Sequence, residues 1–203
     1  MRFGDTDLTP APKHTAHASN YTWYNGKGEY PEDAGFVFTS KWEFADQVNL
    51  DYPDGVPVEI QGGEPTFVGE GTVIGGPGFG WVGQTPRRFP HIGHVWIGYG
   101  VEIGSNVTID RGAIGHTVIK DYVKIDNGVH VGHNASVGSR SLLTAHCVIG
   151  GSARIGEDVF VGLGALIKNQ VTVGDRATIG MGAVVIKDVP QGATVVGNPA
   201  RPI

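Results

Sequence analysis

The chain has 203 residues, of which 40% are hydrophobic and 33 are glycine, and its formal net charge is -5. This length and composition suit one repeat domain with a modest appendage. The mild negative charge argues against a nucleic-acid partner bound through its phosphates. With neither an apolar run of membrane-spanning length nor a signal-peptide pattern, the sequence predicts a cytoplasmic protein without membrane partners.

Residues 1–57 are predicted to form an irregular N-terminal arm that ends in a capping strand. The first part, up to about residue 34, is polar and rich in turn formers. From Phe36 to Phe44, aromatic residues alternate with Val37, Thr39 and other residues, as in a half-buried strand. Because an open solenoid end exposes unpaired backbone and bare core, this strand is expected to cover the first coil.

A six-residue repeat begins near Val58 and continues to residue 190. Branched aliphatic residues recur without a miss at Ile119, Ile125, Val131, Val137, Leu143, Ile149, Ile155, Val161, Ile167, Val173, Ile179 and Val185. The residue two places before each is small or modest in size, and strand side chains alternate, so both point into a narrow prism. Three units make one coil, and residues 18 apart stack roughly 4.8 Å apart. The period predicts an all-β parallel β-helix over residues 58–190, followed by a tail at 191–203.

Residues 75–91 interrupt the repeat. Their glycines and prolines cannot continue six-residue strands, so they are expected to form a loop outside the prism. The loop carries Phe79, Trp81, Arg87 and Arg88, which are candidates to line a ligand because binding residues concentrate on loops. A packed surface loop is the alternative.

His133 is the candidate catalytic base. It lies two places after the inward Val131, where the repeat favours small corner residues, and an imidazole can accept a proton at neutral pH. Asp126 is one candidate to orient it. Gly151 is 18 residues further on and is therefore expected to stack next to His133. A bare glycine N–H beside a base is suited to hold the oxyanion of an acyl-transfer intermediate.

The middle of the chain resembles the hexapeptide acyltransferases that N-acylate UDP-3-O-acylglucosamine. The motifs that carry this resemblance are Gly78-Phe79-Gly80, Thr108-Ile109-Asp110-Arg111-Gly112-Ala113, Ile125-Asp126-Asn127 and His133-Asn134. The resemblance implies a left-handed prism and a homotrimer with sites between subunits. It also implies that His133 is the general base, that Asp126 supports it, that Gly151 supplies the oxyanion donor and that Asn127 lies in the active site.

The C-terminal end is similar to a different branch, the sugar O- and N-acetyltransferases that use acetyl-CoA. The similar segments are Gly182–Pro190 and Val196–Arg201. This similarity implies that the tail, with Lys187 and Arg201, lines the groove for the donor. The chain also departs from the N-acyltransferases that its middle resembles. Residues 1–60 do not look like the uridine-binding domain of those enzymes, and Gln170 stands where they have a second histidine. A short acyl-CoA is therefore the expected donor, with acyl carrier protein as the less favoured partner.

The predicted function is transfer of an acyl group from acyl-CoA or another thioester to an amine or hydroxyl of a sugar or nucleotide sugar, without a metal. One alternative is a non-catalytic structural or binding solenoid. Another is a γ-class carbonic anhydrase, in which two of the zinc-binding histidines are five residues apart. Here His130 and His133 are three apart, and no histidine pair is separated by five.

Overall fold

The computed structural model describes residues 66–203 and five earlier strands, at Tyr21–Trp23, Phe36–Phe38, Trp42–Ala45, Asn49–Leu50 and Val58–Ile60. All regular elements in these residues are β-strands, and most of them stack in parallel as successive coils. The predicted all-β solenoid is confirmed. Over the same residues, no helix is long and apolar enough to cross a membrane.

The strands are short and follow the chain in a regular order. The N-terminal strands are β1 (Tyr21–Trp23), β2 (Phe36–Phe38), β3 (Trp42–Ala45) and β4 (Asn49–Leu50). The first coils contain β5 (Val58–Ile60), β6 (Thr66–Gly69), β7 (Val73–Gly76), the hairpin strands β8 (Trp81–Val82) and β9 (Arg87–Arg88), β10 (His94–Ile97), β11 (Glu102–Ile103) and β12 (Thr108–Asp110). The regular coils contain β13 (His116–Ile119), β14 (Lys124–Ile125), β15 (His130–Val131), β16 (Ser136–Val137), β17 (Leu142–Leu143), β18 (Val148–Ile149), β19 (Arg154–Ile155), β20 (Phe160–Val161), β21 (Leu166–Ile167), β22 (Thr172–Val173), β23 (Thr178–Ile179) and β24 (Val184–Val185). The last strands are β25 (Thr194–Val196) and β26 (Arg201–Pro202).

Three sheets form the faces of the prism. Sheet A contains β1, β2, β7, β12, β15, β18, β21 and β24; sheet B contains β3, β6, β11, β14, β17, β20, β23, β25 and β26; sheet C contains β4, β5, β10, β13, β16, β19 and β22. Each coil runs from sheet C to sheet B to sheet A. We name the corners by the sheets they join: the C–B edge, the B–A edge and the A–C edge, the last formed by residues 77–93, 111–115, 132–135, 150–153, 168–171 and 186–188.

The interior is a column of stacked aliphatic side chains. Each residue of the six-residue series from Ile119 to Val185 is at most 3% exposed. Within sheet A, Val131 pairs with Ile109 of the preceding coil and with Ile149 of the next. The sequence period therefore fixes which side chains face inward in every coil and, by elimination, which residues lie at each corner.

An antiparallel coil covers the N-terminal end. Strand β2 pairs with β7 on sheet A, β3 with β6 on sheet B and β4 with β5 on sheet C, all antiparallel. Instead of one strand from Phe36 to Phe44, the described residues form two strands, Phe36–Phe38 and Trp42–Ala45, which pair in different sheets. The predicted alternation of its side chains lies outside the described residues.

Both irregular segments leave the prism at the same edge. Residues 77–93 connect β7 to β10, and residues 111–115 connect β12 to β13; each connection runs from sheet A to sheet C. The first contains the antiparallel β8–β9 hairpin. His133 and Gly151 lie in the next two A–C corners, so the insertions are concentrated beside the predicted catalytic residues.

Candidate active site

The His133 ring is held in one tautomer by the residue that follows it. The Asn134 side chain accepts a hydrogen bond from the Ala113 N–H at 2.9 Å and donates to the Ile114 carbonyl at 2.7 Å, which assigns its oxygen and nitrogen. Its oxygen lies 3.4 Å from His133 Nδ1. Because this oxygen only accepts, Nδ1 carries the proton and Nε2 keeps a free lone pair.

Gly151 lies against that lone pair. A methyl group built on its Cα would lie 2.7 Å from His133 Nε2, so only glycine lets the chain pass so close to the ring. Among the described residues, its N–H has no hydrogen-bond acceptor, although the adjacent Ser152 N–H donates to the His133 carbonyl at 2.8 Å. The predicted base and the predicted oxyanion donor are therefore neighbours in successive coils.

A second histidine, His91 from the excursion, packs against His133. The two rings are 5.1 Å apart at 76°, and His91 is 4% exposed. His91 Nδ1–H donates a hydrogen bond to the Phe89 carbonyl at 2.9 Å, while Nε2 is buried and has no hydrogen-bond partner among the described residues. Burial lowers the pKa of His91, so its ring stays neutral beside the base. Gly78 separates the two rings, because a methyl group there would lie within 3 Å of both.

Asp110 and His130 form a second polar group on the outer face of sheet A. Asp110 Oδ2 lies 3.8 Å from His130 Nε2, and His130 Nδ1 lies 2.8 Å from Thr108 Oγ1. Burial raises the pKa of Asp110 to about 7, with Arg88 opposing the rise, and burial also lowers the pKa of His130, assisted by His133. Both shifts favour the neutral forms, so the two side chains are close without forming a strong ion pair.

The excursion hairpin presents its aromatic and cationic residues to solvent. Trp81 pairs with Arg88 and Val82 with Arg87. Phe79 is 84% exposed and Trp81 is 50% exposed, and their rings meet edge to face at 6.2 Å. The structure thus brings together Phe79, Trp81, Arg87 and Arg88 on one hairpin that leaves the prism at the His133 edge.

Asp126 and Asn127 lie at a different corner, the B–A edge. Asp126 accepts hydrogen bonds from the N–H groups of Asn127 and Ala145, at 2.7 and 3.2 Å. The Asn127 side chain accepts from the Ser105 N–H at 2.7 Å. Both side chains therefore stabilise turns, and no hydrogen bond joins Asp126 to His133 within the described part of this chain. In this chain the two side chains lie at different corners of the prism.

Lys187 and Arg201 are exposed near the far end of the prism. Lys187 lies in the A–C corner after β24, in the same stacked column as His133 and Gly151. The tail returns to this face, since Val184 donates to the Gly197 carbonyl at 2.9 Å and accepts from the Ala200 N–H at 2.9 Å. Arg201 follows directly, in β26.

Three residues beside His133 were not predicted as functional: Asn134, His91 and Asp110. Asn134 was part of the resemblance motif, but its role depends on the positions of residues 113 and 114 in an irregular segment. His91 reaches the site only through the fold of the excursion. Asp110 had a usable signal, because Ile109 stacks below Val131 and the next residues on both strands are therefore neighbours. In residues 66–203 and the five strands, no three His, Cys, Asp or Glu side chains are grouped to hold a metal ion.

Comparison with known families identifies the repeat. Residues 116–151 match the family described as "Bacterial transferase hexapeptide (six repeats)", and residues 152–187 match "Hexapeptide repeat of succinyl-transferase". The resemblance to the hexapeptide-repeat acyltransferases is confirmed. Together the two matches cover residues 116–187, the regular part of the repeat.

Individual relatives are similar over more residues than the two family models match. UDP-3-O-acylglucosamine N-acyltransferase 2 of Legionella pneumophila (strain Lens) is 47% identical over 140 residues, which cover 68% of this chain and 41% of the relative. The UDP-3-O-acylglucosamine N-acyltransferase of Rickettsia prowazekii is 48% identical over 143 residues, covering 70% of this chain and 41% of the relative. The hexapeptide-repeat chain thus spans about two fifths of the length of these two relatives.

Solved structures show the same fold. The acetyltransferase domain of PglB from Neisseria gonorrhoeae is 34% identical, with a TM-score of 0.51, over 54% of this chain and 51% of that one. The UDP-N-acetylglucosamine O-acyltransferase of Moraxella catarrhalis is 23% identical, with a TM-score of 0.63, over 71% of this chain and 55% of that one. At that identity, the second similarity concerns the fold alone.

Proposed function

We propose that this hexapeptide-repeat protein is an acyltransferase that moves an acyl group from a thioester to an amine or hydroxyl of a nucleotide sugar. The observation that carries the proposal is the pairing of His133 Nε2 with Gly151 in the adjacent coil. A lone pair and an unpaired backbone N–H at one edge provide a base and an oxyanion donor for the same carbonyl. The names of the relatives support the same reaction class.

The reaction follows from these two groups. His133 Nε2 takes the proton of the acceptor N–H or O–H while that atom attacks the thioester carbonyl carbon. The carbonyl oxygen becomes an oxyanion and accepts a hydrogen bond from the Gly151 N–H. When the C–S bond breaks, the His133 imidazolium returns its proton to the sulfur, which leaves as a thiol. Asn134 keeps the Nδ1 proton in place throughout.

The thioester donor fits along the A–C edge. His133, Gly151, Asn169 and Lys187 are each 18 residues apart, so Lys187 lies three coils beyond His133, roughly 14 Å away at about 4.8 Å per coil. An acyl-CoA whose thioester lies at His133 can extend its pantetheine arm along this edge and place its phosphates near Lys187, whereas Arg201, in β26 of sheet B, lies off this edge. Acyl-CoA or acetyl-CoA is the proposed donor, and acyl carrier protein carries the same arm.

The excursion hairpin is the proposed acceptor site. The exposed rings of Phe79 and Trp81 offer a stacking surface for a nucleobase. Arg87 and Arg88 on the opposite strand supply charge for the diphosphate of a nucleotide sugar. The hairpin leaves the prism at the edge that carries His133, so a sugar attached to the diphosphate can reach the base.

The proposed assembly is a homotrimer. Leu142 and Phe160 on sheet B, Leu166 on sheet A, and Leu163 and Met181 at the B–A edge are all at least 40% exposed. Such an exposed apolar cluster on two faces and their shared edge suits contact with two further copies of the chain. In this assembly Asp126 and Asn127 of one subunit contribute to the site of another, since they lie away from His133 in their own chain.

The test is acyl transfer itself. We expect the purified protein to release free thiol when it receives acetyl-CoA, or an acyl carrier protein with a longer chain, together with UDP-3-O-acylglucosamine or another nucleotide-linked amino sugar. Product mass then identifies the new bond. Absence of thiol release with every donor and acceptor pair, together with no rise in melting temperature on adding CoA, would favour a non-catalytic solenoid.

A further inference from the structure

The outer face of sheet A has a carboxyl group for which the proposed mechanism has no use. Asp110 follows Ile109, which pairs with Val131, so its backbone lies one coil before Gly132, the residue preceding His133. Its side chain is 17% exposed, and the neighbouring His130 side chain is 40% exposed. A carboxyl at this depth needs a reason, because a buried ionisable group costs stability unless it is paired.

We infer that Asp110, supported by His130, binds the ammonium form of an amino-sugar acceptor and removes its first proton, so that the site selects amines over hydroxyls. This rests on the proposed function and specifies its acceptor. The geometry supports it: Asp110 Oδ2 lies 3.8 Å from His130 Nε2, too long for a hydrogen bond, and the strands that carry these two residues pair in sheet A, directly before the corner that holds His133.

The proton balance of amide formation explains why a second base is useful. An amine enters as R–NH3+ and must lose two protons before it becomes an amide nitrogen, whereas a hydroxyl loses one. Asp110 takes the first proton to give R–NH2 and a carboxylic acid. His133 takes the second as the nitrogen attacks the thioester, and then returns it to the sulfur. Asp110 releases its proton to solvent past His130, so that one proton is liberated per turnover.

The electrostatics around Asp110 suit this exchange. Burial holds the pKa of Asp110 near 7, and the charged or titratable groups that face it in the described residues are His130 from β15 and Arg88 from the hairpin. Burial, and to a smaller extent the charge of His133, lower the pKa of His130. A bound ammonium replaces the lost solvation of the carboxylate and therefore drives Asp110 into its ionised form.

Binding measurements test this inference separately from catalysis. The probes are UDP-3-O-acylglucosamine and UDP-3-O-acylglucose, which differ only in the amine or hydroxyl at carbon 2. We expect wild-type protein to bind the amine at least tenfold more tightly at pH 7, and to release a fraction of a proton, measured by calorimetry in two buffers of different ionisation enthalpy. Asp110→Asn should reduce the preference to less than twofold and abolish the proton release.

Several outcomes would overturn the inference. These are equal affinity of wild-type protein for both probes, no binding of either, or a preference that persists in Asp110→Asn. Asp110→Glu is expected to restore part of the preference, which a merely structural role would not require. Failure of thiol release with normal binding selectivity would instead reject the proposed reaction and leave the amine site intact.

Discussion

The A–C and C–B edges of the prism use the same six-residue repeat differently. At the C–B edge, the turns carry a stacked column of Tyr122, Arg140, Asp158 and Arg176, all with φ between 56° and 62°. Arg140 forms a two-point ion pair with Asp158, at 2.8 and 2.9 Å. These charged residues are exposed, and the edge is regular from coil to coil. The repeat here serves only to turn the chain.

The A–C edge breaks that regularity where the polar chemistry lies. Residues 77–93 and 111–115 leave the prism there, and they bring His91 and the Asn134 partners to His133. The edge also has a histidine and a glycine in contact between coils. The difference teaches that a solenoid can build a site by adding residues at one corner while the other two corners keep the register.

Among the tests of this difference between the A–C and C–B edges, the largest effect is expected from removing the His133 imidazole at the A–C edge. His133→Ala should reduce kcat by about 10³-fold, since positioned acid–base catalysis typically contributes 10²–10⁴-fold. Single-turnover thiol release measures the effect. His116→Gln is the matched control, because His116 is an exposed histidine on sheet C. Activity of His133→Ala within a few-fold of wild type would remove His133 from the mechanism.

A methyl group at Gly151 should have the next largest effect. It would lie 2.7 Å from His133 Nε2, so the ring or the backbone must move. We expect Gly151→Ala to lower kcat by about a hundredfold, comparable to the loss of an oxyanion donor. The variant should still fold as a trimer, as measured by light scattering.

Gly76→Ala is the control for that substitution, because its new methyl group has room, with the nearest atom of Val73 at 3.7 Å. It lies at the end of β7, at the same edge of the prism. Equal losses of kcat in the two variants would show that the edge tolerates no added methyl group, and would remove the argument for a specific contact with His133.

Loss of the Asn134 amide should have a smaller effect, of about tenfold in kcat. Asn134 has φ of 57°, a conformation that glycine adopts without strain, so Asn134→Gly isolates the side chain. Without the amide oxygen, His133 is free to place its proton on either nitrogen. Arg176→Gly, at φ of 58° on the C–B edge, controls for the backbone change and should retain activity. Full activity of Asn134→Gly would mean that the tautomer is set by another group.

The sequence period predicted the regular part of the molecule because each position acts locally. An inward aliphatic residue at every sixth position determines on which sheet or corner the adjacent residues lie and whether their side chains are buried. This does not depend on distant parts of the chain. The same period also separates Asp126 from His133: they are one and two places after consecutive inward residues, so they occupy consecutive corners of one chain. That separation follows from the sequence, which leaves open a pairing of Asp126 with His133 of a neighbouring subunit.

The contacts of the excursion were beyond the reach of the period. Residues 77–93 follow no repeat, so the approach of His91 to His133 depends on the hairpin and on Gly78 between the rings. Likewise, the Asn134 amide is held by two backbone groups of residues 113 and 114, whose positions are set by extra residues. The repeat does not predict the A–C edge because contacts between distant segments determine its structure. The same contacts bring the polar side chains of the site together.

The largely buried carboxyl of Asp110, on sheet A beside the irregular edge, should reduce stability, in contrast to the exposed ion pairs at the regular edge. Folding raises the pKa of Asp110 from 3.8 to about 7, so folding disfavours its ionised form. Below pH 3.8 the carboxyl is protonated in the folded and unfolded states, and the free energy of unfolding is not reduced. As the pH rises from 3.8 towards 7, that free energy falls, because only the unfolded state ionises readily. The rise corresponds to at most about 4 kcal/mol.

Asp110→Asn should therefore raise the melting temperature relative to wild type by several degrees at pH 8, with little difference at pH 4. Thermal unfolding of both proteins at the two pH values measures this. We thus expect Asp110→Asn to gain stability and to lose amine selectivity. This combination is typical of functional residues that reduce the stability of the folded protein. A variant less stable than wild type at pH 8 would mean that the carboxylate is stabilised by an ion pair.

The smallest effect is expected at the C–B edge. Arg140→Ala removes the ion pairs with Asp158 and with Glu157, the latter at 3.1 Å, but all three groups are exposed to water and salt. We expect unchanged kcat and a barely lowered melting temperature, with even that difference disappearing at high salt. Thermal unfolding at low and high ionic strength measures it. A large loss of activity here would show that the regular edge takes part in the reaction, and the division of labour between the two edges would not hold.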